Sequence, residues 1–162
     1  MKKVKTPVTA AIRALRAAKA EFEEHLYDYV EKGGTRASSA ALGVDEHAVL
    51  KTLVFEDETG TPLVVLMHGD FEVSTGALAK HLGCKRITPC EPKVAERHSG
   101  YQVGGTSPFG LSRPMRLYAE STIQQLPRLW LNGGKRGFLV SMTPAELART
   151  LPLAWVQVAR PD

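Results

Sequence analysis

The sequence predicts an α+β fold, a single domain whose mixed β-sheet curls towards a barrel with helices around it. Three observations lead there. A chain of 162 residues falls in the range of one domain, and 43% apolar residues are enough for a substantial core. Strand-like and helix-like stretches alternate irregularly, with adjacent strand pairs mixed among single strands, which argues against a strictly doubly wound sheet. No internal repeat or low-complexity linker occurs, so residues 1–162 are expected to form one unit.

Taken in order, Thr6 and Pro7 read as a helix cap followed by proline at the first helical position. Val8, Ala11, Ile12, Leu15 and Ala18 then recur at helical spacing, predicting a first helix over residues 7 to 20. Between Phe22 and Val30, "HLYDYV" alternates His25, Tyr27 and Tyr29 with Leu26, Asp28 and Val30, the pattern of a strand. "TRASSAALG" predicts a short helix closed by Gly43, and "VDEHAV" a helical turn capped by Asp45. "LKTLVF" and "PLVVLMHG", separated by "EDETGT", make the clearest hairpin. "STGALAKHLG" is a helix with a serine cap and a closing glycine, "KRITP" a strand, and "PKVAERHSG" a helix running into a glycine-rich loop. "MRLYAE", "PRLWLN" and "KRGFLVSM" are further apolar runs. A helix at "TPAELARTL" and a strand at "AWVQVA" close the chain.

Charged residues make up 23% with both signs mixed, so neither disorder nor a charged tail fits. The net charge of +4 is compatible with phosphate-bearing ligands without requiring them. The N-terminal "MKKVKTPVTAAIRALRAAKAEF" is amphipathic and has no cleavage site of the secretory kind, and no uncharged apolar run approaches the roughly 20 residues of a membrane span. A soluble, cytoplasmic protein is expected. The two cysteines, Cys84 and Cys90, are too few for a disulfide framework. With His98 they fit no zinc spacing, so neither a metal nor a cofactor is expected. No GxSxG elbow occurs, nor an obvious serine or cysteine partner for a histidine.

Three features could carry chemistry. "GYQVGGTSPFG" holds four glycines in eleven positions; Gly104 and Gly105 allow backbone N–H groups to converge on an anion or a carbonyl oxygen, Thr106 and Ser107 add hydroxyls, and Pro108 stiffens the exit. A tight turn is the alternative reading. "NGGKRG" reads as a hairpin turn that also presents Asn132 and the amides of Gly133 and Gly134, with Lys135 or Arg136 near for phosphate. Lys51 heads a strand apolar on both faces, so its ammonium either reaches water at a strand edge or lines a ligand site. In that second setting a lysine Schiff-base enzyme is a further reading.

Together, "KTLVF", "GYQVGGTSPFG" and "NGGKRGFLVSMTPAEL", in this order and spacing, resemble the YbaK/EbsC family of aminoacyl-tRNA deacylases, relatives of the editing domain of bacterial prolyl-tRNA synthetases. The resemblance implies trans-editing: release of a wrongly attached amino acid from the 3′ terminal adenosine of tRNA, cysteine on proline tRNA in one branch and alanine in another. It places the essential lysine on Lys51 with Thr52 beside it, the glycine loop on Gly104 to Pro108, a pocket tyrosine on Tyr27 and the second loop on Asn132, Gly133 and Gly134, with Arg136 near the substrate. Some members look to carry serine in place of Asn132 and aspartate in place of Leu139. The resemblance implies attack by the substrate's own thiol, or by water, on an ester held by backbone amides and Lys51, with aminoacyl-tRNA as the partner and a prolyl-tRNA synthetase as a further one. A non-catalytic module that binds the tRNA end or a nucleotide would use the same pocket.

Overall fold

The computed structural model describes residues 5–161; the lysines at positions 2 and 3 lie outside them. In chain order the elements begin with α1 (Ala10–Ala17), β1 (Glu23–Leu26), α2 (Gly34–Leu42), a 3-10 turn (Glu46–Ala48), β2 (Leu50–Asp57), β3 (Pro62–His68) and β4 (Phe71–Val73). There follow α3 (Thr75–Leu82), β5 (Ile87–Pro89), α4 (Pro92–Ser99), β6 (Arg116–Glu120), a second 3-10 turn (Ser121–Gln125), β7 (Leu129–Lys135), β8 (Phe138–Met142), α5 (Pro144–Thr150), β9 (Leu153–Val156) and β10 (Ala159–Pro161).

The expected α+β class with a mixed sheet is what the chain adopts. Five strands lie in the order β5-β2-β3-β6-β9, with β2 antiparallel to β3 and β5, and with β3, β6 and β9 parallel. A second sheet, β1-β8-β7, is antiparallel, and β10 pairs with β4. The sheets do not close into a barrel. The curl ends at one parallel bridge between Val49 and Trp130, which joins the head of β2 to β7.

Local chemistry sets most element ends. The side chains of Asp45, Ser74 and Thr143 accept from the amides of His47, Ala77 and Glu146, and Gly43, Gly83 and Gly100 close their helices at φ of 68°, 71° and 80°. β3 is apolar throughout because both its faces are covered. Val64 and Leu66 enter one core with α1, β7 and β8, and Leu63, Val65 and Met67 enter another with Leu78 and Ala79 of α3.

Three expectations are corrected. The first helix starts at Ala10, not residue 7, because Thr9 caps Ile12 N at 3.1 Å while its hydroxyl also donates to Gly133 O; Thr6 instead donates to Glu24 at 2.7 Å. The strand expected to reach Val30 stops at Leu26, where its partner β8 begins at Phe138 and gives way to the turn at Arg136 and Gly137. Gly133 and Gly134 of "NGGKRG" lie inside β7 as a bulge between Asn132 and Lys135, so the turn is confined to Arg136 and Gly137. Short strands β4 and β10, each three residues, carry too little periodicity to be read from sequence.

Candidate active site

The glycine loop and the β7–β8 hairpin are tied to each other by side chains of the hairpin. Asn132 Nδ2 donates to Gly104 O at 3.0 Å, and Arg136 Nε donates to Val103 O at 2.9 Å. Asn132 Oδ1 also accepts from the amides of Gly134 (2.7 Å) and Lys135 (3.1 Å), so this one side chain holds the bulge and the loop in register. The close approach requires glycine. Gly104 has φ +92°, and a Cβ there would meet Tyr29 Oη at 2.8 Å; a Cβ on Gly105 would press on the backbone of Lys135 and Arg136 at 3.0 Å.

Arg136 lies over the ring of Tyr29, 5.1 Å from its centre, and Tyr27 N donates to Gly137 O, which brings the post-β1 segment to the same place. Burial raises the phenol of Tyr27 above its ordinary value. Beside the hairpin opens a cavity of about 680 Å³ whose walls include Lys5, Tyr27, Tyr29, Lys135 and Arg136. Tyrosine rings and cations on one wall suit a stacked base and its phosphates. Lys5 was not legible as part of this wall, because only the fold brings the N-terminal segment to the hairpin.

The other residues singled out in the sequence fall into different roles. Gly105 N donates to Gln102 O at 2.8 Å and is therefore spent in a turn. The amides of Gly104, Thr106 and Ser107 donate to no acceptor among the described residues. Ser107 and Pro108 are buried, and Ser107 Oγ accepts from Phe109 N at 3.2 Å, so that hydroxyl shapes the loop. The loop base is pinned by Tyr101, whose buried hydroxyl donates to Phe109 O and whose pKa burial pushes up to about 12. A Cβ on Gly133 would meet Phe138 and Val140, and Gly134 N donates to Asn132 Oδ1.

Lys51 lies on β2, opposite Met67 of β3, and its ammonium donates to Phe71 O at 2.7 Å. Thr52 faces the first core opposite Leu66, and its buried Oγ1 has no hydrogen-bond partner among the described residues.

Residues 31–150 match the aminoacyl-tRNA editing domain. The chain belongs to this family. Its editing-domain relatives include a proposed Cys-tRNA(Pro)/Cys-tRNA(Cys) deacylase, EbsC of Enterococcus faecalis, 29% identical over 140 residues that cover 86% of this chain and 85% of the relative. The proline--tRNA ligase of Limosilactobacillus fermentum is 27% identical over 105 residues, 62% of this chain but only 18% of the ligase. Among solved structures, a proposed trans-editing enzyme for prolyl-tRNA synthetase superposes with a TM-score of 0.81 at 21% identity, covering 96% of this chain and 99% of that one. The hypothetical protein APE2540 gives 0.86 at 20% identity, covering 93% and 99%. These two likenesses show the editing-domain fold. Among the described residues, no helix is long and apolar enough to cross a membrane.

Proposed function

We propose that the protein is a trans-editing deacylase that cleaves cysteine from tRNA(Pro), and from tRNA(Cys) by the same chemistry, in the cytoplasm. The observation that carries the reading is the braced loop, in which the amides of Gly104 and Thr106 are not engaged by the protein and sit on a segment fixed by Asn132, Arg136 and Tyr101. The substrate is an ester already activated towards attack, so the protein need only hold the carbonyl where negative charge develops. Preorganised amides do this without a protein nucleophile.

In this reading the substrate thiol attacks the carbonyl and the ribose oxygen leaves. Lys51, its ammonium steered by Phe71 O, anchors a terminal phosphate or ribose oxygen. Arg136, Tyr27 and Tyr29 receive the terminal nucleotides in the adjoining cavity. A prolyl-tRNA synthetase, whose editing domain this chain resembles, supplies discrimination among tRNAs.

A second reading is deacylation of alanine or another small amino acid by water. Incubating the protein with cysteinyl-, alanyl- and prolyl-tRNA and following ester loss separates the readings. Preferred loss of cysteine supports the first, and preferred loss of alanine the second. Binding to all three without turnover would make it a tRNA-end binding module instead.

A further inference from the structure

Where α4 packs on β2, three side chains from separate elements converge. Glu56 lies on β2, Cys90 follows β5, and His98 stands in the last turn of α4. A carboxylate oxygen, the thiol sulfur and a ring nitrogen of these three all lie within 4.8 Å of one another. Cys90 Sγ donates to Glu56 Oε1 at 3.3 Å.

His98 supplies the second observation. It is 8% exposed, and neither ring nitrogen has a hydrogen-bond partner among the described residues. Leaving a buried imidazole without partners is costly, and native proteins rarely do so. A ring nitrogen nevertheless lies within 4.8 Å of the Glu56 carboxylate and the Cys90 sulfur.

We propose that Glu56, Cys90 and His98 bind one borderline divalent transition-metal ion, Zn(II) being the best match, with water in the remaining position. Imidazole and thiolate select such ions over Mg(II) and Ca(II), which prefer an all-oxygen shell. Tetrahedral Zn–S, Zn–N and Zn–O bonds place neighbouring ligand atoms roughly 3.3–3.7 Å apart. The sulfur–carboxylate edge already has that length, and the other edges need to shorten by about 1.5 Å at most. Coordination replaces the S–H bond of Cys90 by an S–metal bond and releases its proton to solvent.

The spacing of Cys84, Cys90 and His98 hides this cluster because its third ligand, Glu56, comes from 34 residues before Cys90, and Cys84 takes no part. The ion would fasten the C-terminal end of α4 to β2 and the post-β5 segment. Two residues beyond His98, Gly100 opens the loop that carries Gly104, so the clamp sets the base of that loop. The proposal does not depend on the editing reading.

Co(II) titrated into the chelator-treated full chain tests it. A sulfur-to-cobalt charge-transfer band should grow to saturation at one equivalent, disappear on adding Zn(II), persist in Cys84→Ser and be absent in Cys90→Ser. His98→Gln should weaken binding by more than the roughly 10- to 100-fold typical of losing a residue that only supports a ligand. The wild-type melting temperature should also rise with Zn(II) and not with Mg(II), a readout independent of whether the variants fold. No charge-transfer band in the wild type would overturn the proposal, as would a band that needs Cys84 and survives Cys90→Ser.

Discussion

Replacing Asn132 with alanine removes one acceptor oxygen that holds two amides and one donor that holds Gly104 O. Asn132 is half-buried, so each of the three bonds is worth about 0.5–1 kcal/mol, the lower part of the usual range. The sum, about 1.5–3 kcal/mol, corresponds to roughly 3–12 °C in Tm for a chain of this size. The larger effect falls on activity, because Gly104 O loses its brace and the loop amides lose their fixed positions; a displacement near 1 Å costs roughly 100-fold. Asn132→Ser, which retains one short hydroxyl, should lie between wild type and Asn132→Ala in both respects. Thermal melts, hydrogen exchange at Gly134 and Lys135, and single-turnover deacylation read the three consequences separately. An Asn132→Ala protein with wild-type Tm, unchanged exchange at those amides and unchanged turnover would refute the reasoning.

Three further perturbations are set by the same structure. Gly105→Ala should keep the fold but push the loop off the backbone of Lys135 and Arg136, lowering deacylation by roughly 10-fold or more, with the loss in turnover rather than in tRNA binding. Tyr101→Phe removes the bond to Phe109 O at the loop base and should cost about 1 kcal/mol in chemical denaturation. Burial alone would raise the carboxyl of Glu120, yet bonds from Val158 N, Thr122 N, Thr122 Oγ1 and Ala159 N hold it below the ordinary value. Its stabilisation is therefore complete above the unfolded value of about 4.3 and fades as pH falls through the lower folded value. Glu120→Gln should lose about 3 kcal/mol at pH 7, and the gap to wild type should narrow in denaturant melts below about pH 4.

Short-range signals were legible in this sequence where the structure uses them locally. The caps at Asp45 and Ser74, the closing glycines at 43, 83 and 100, and the β2–β3 hairpin each depend on neighbours within a few residues. Thr6 was the cap read from sequence, and the structure uses Thr9 instead because Gly133 O, 124 residues away, holds its hydroxyl. The glycine pair at 133 and 134 looked like a turn since a bulge and a turn demand the same permissive backbone; packing of Gly133 on Phe138 decided between them. Likewise the loop and the hairpin were recognisable as two parts of one site, while the task of Asn132 as their brace was not, because it rests on a contact 28 residues away. Glu56, Cys90 and His98 meet only through the packing of α4 on β2.

The most direct test of the central claim is single-turnover release of cysteine from Cys-tRNA(Pro) by the wild-type chain and by Lys51→Ala, with the variant's fold checked by circular dichroism. The account predicts ester loss well above the uncatalysed rate with wild type and none above it with the variant. No acceleration by the wild type, or undiminished acceleration by Lys51→Ala, would contradict it.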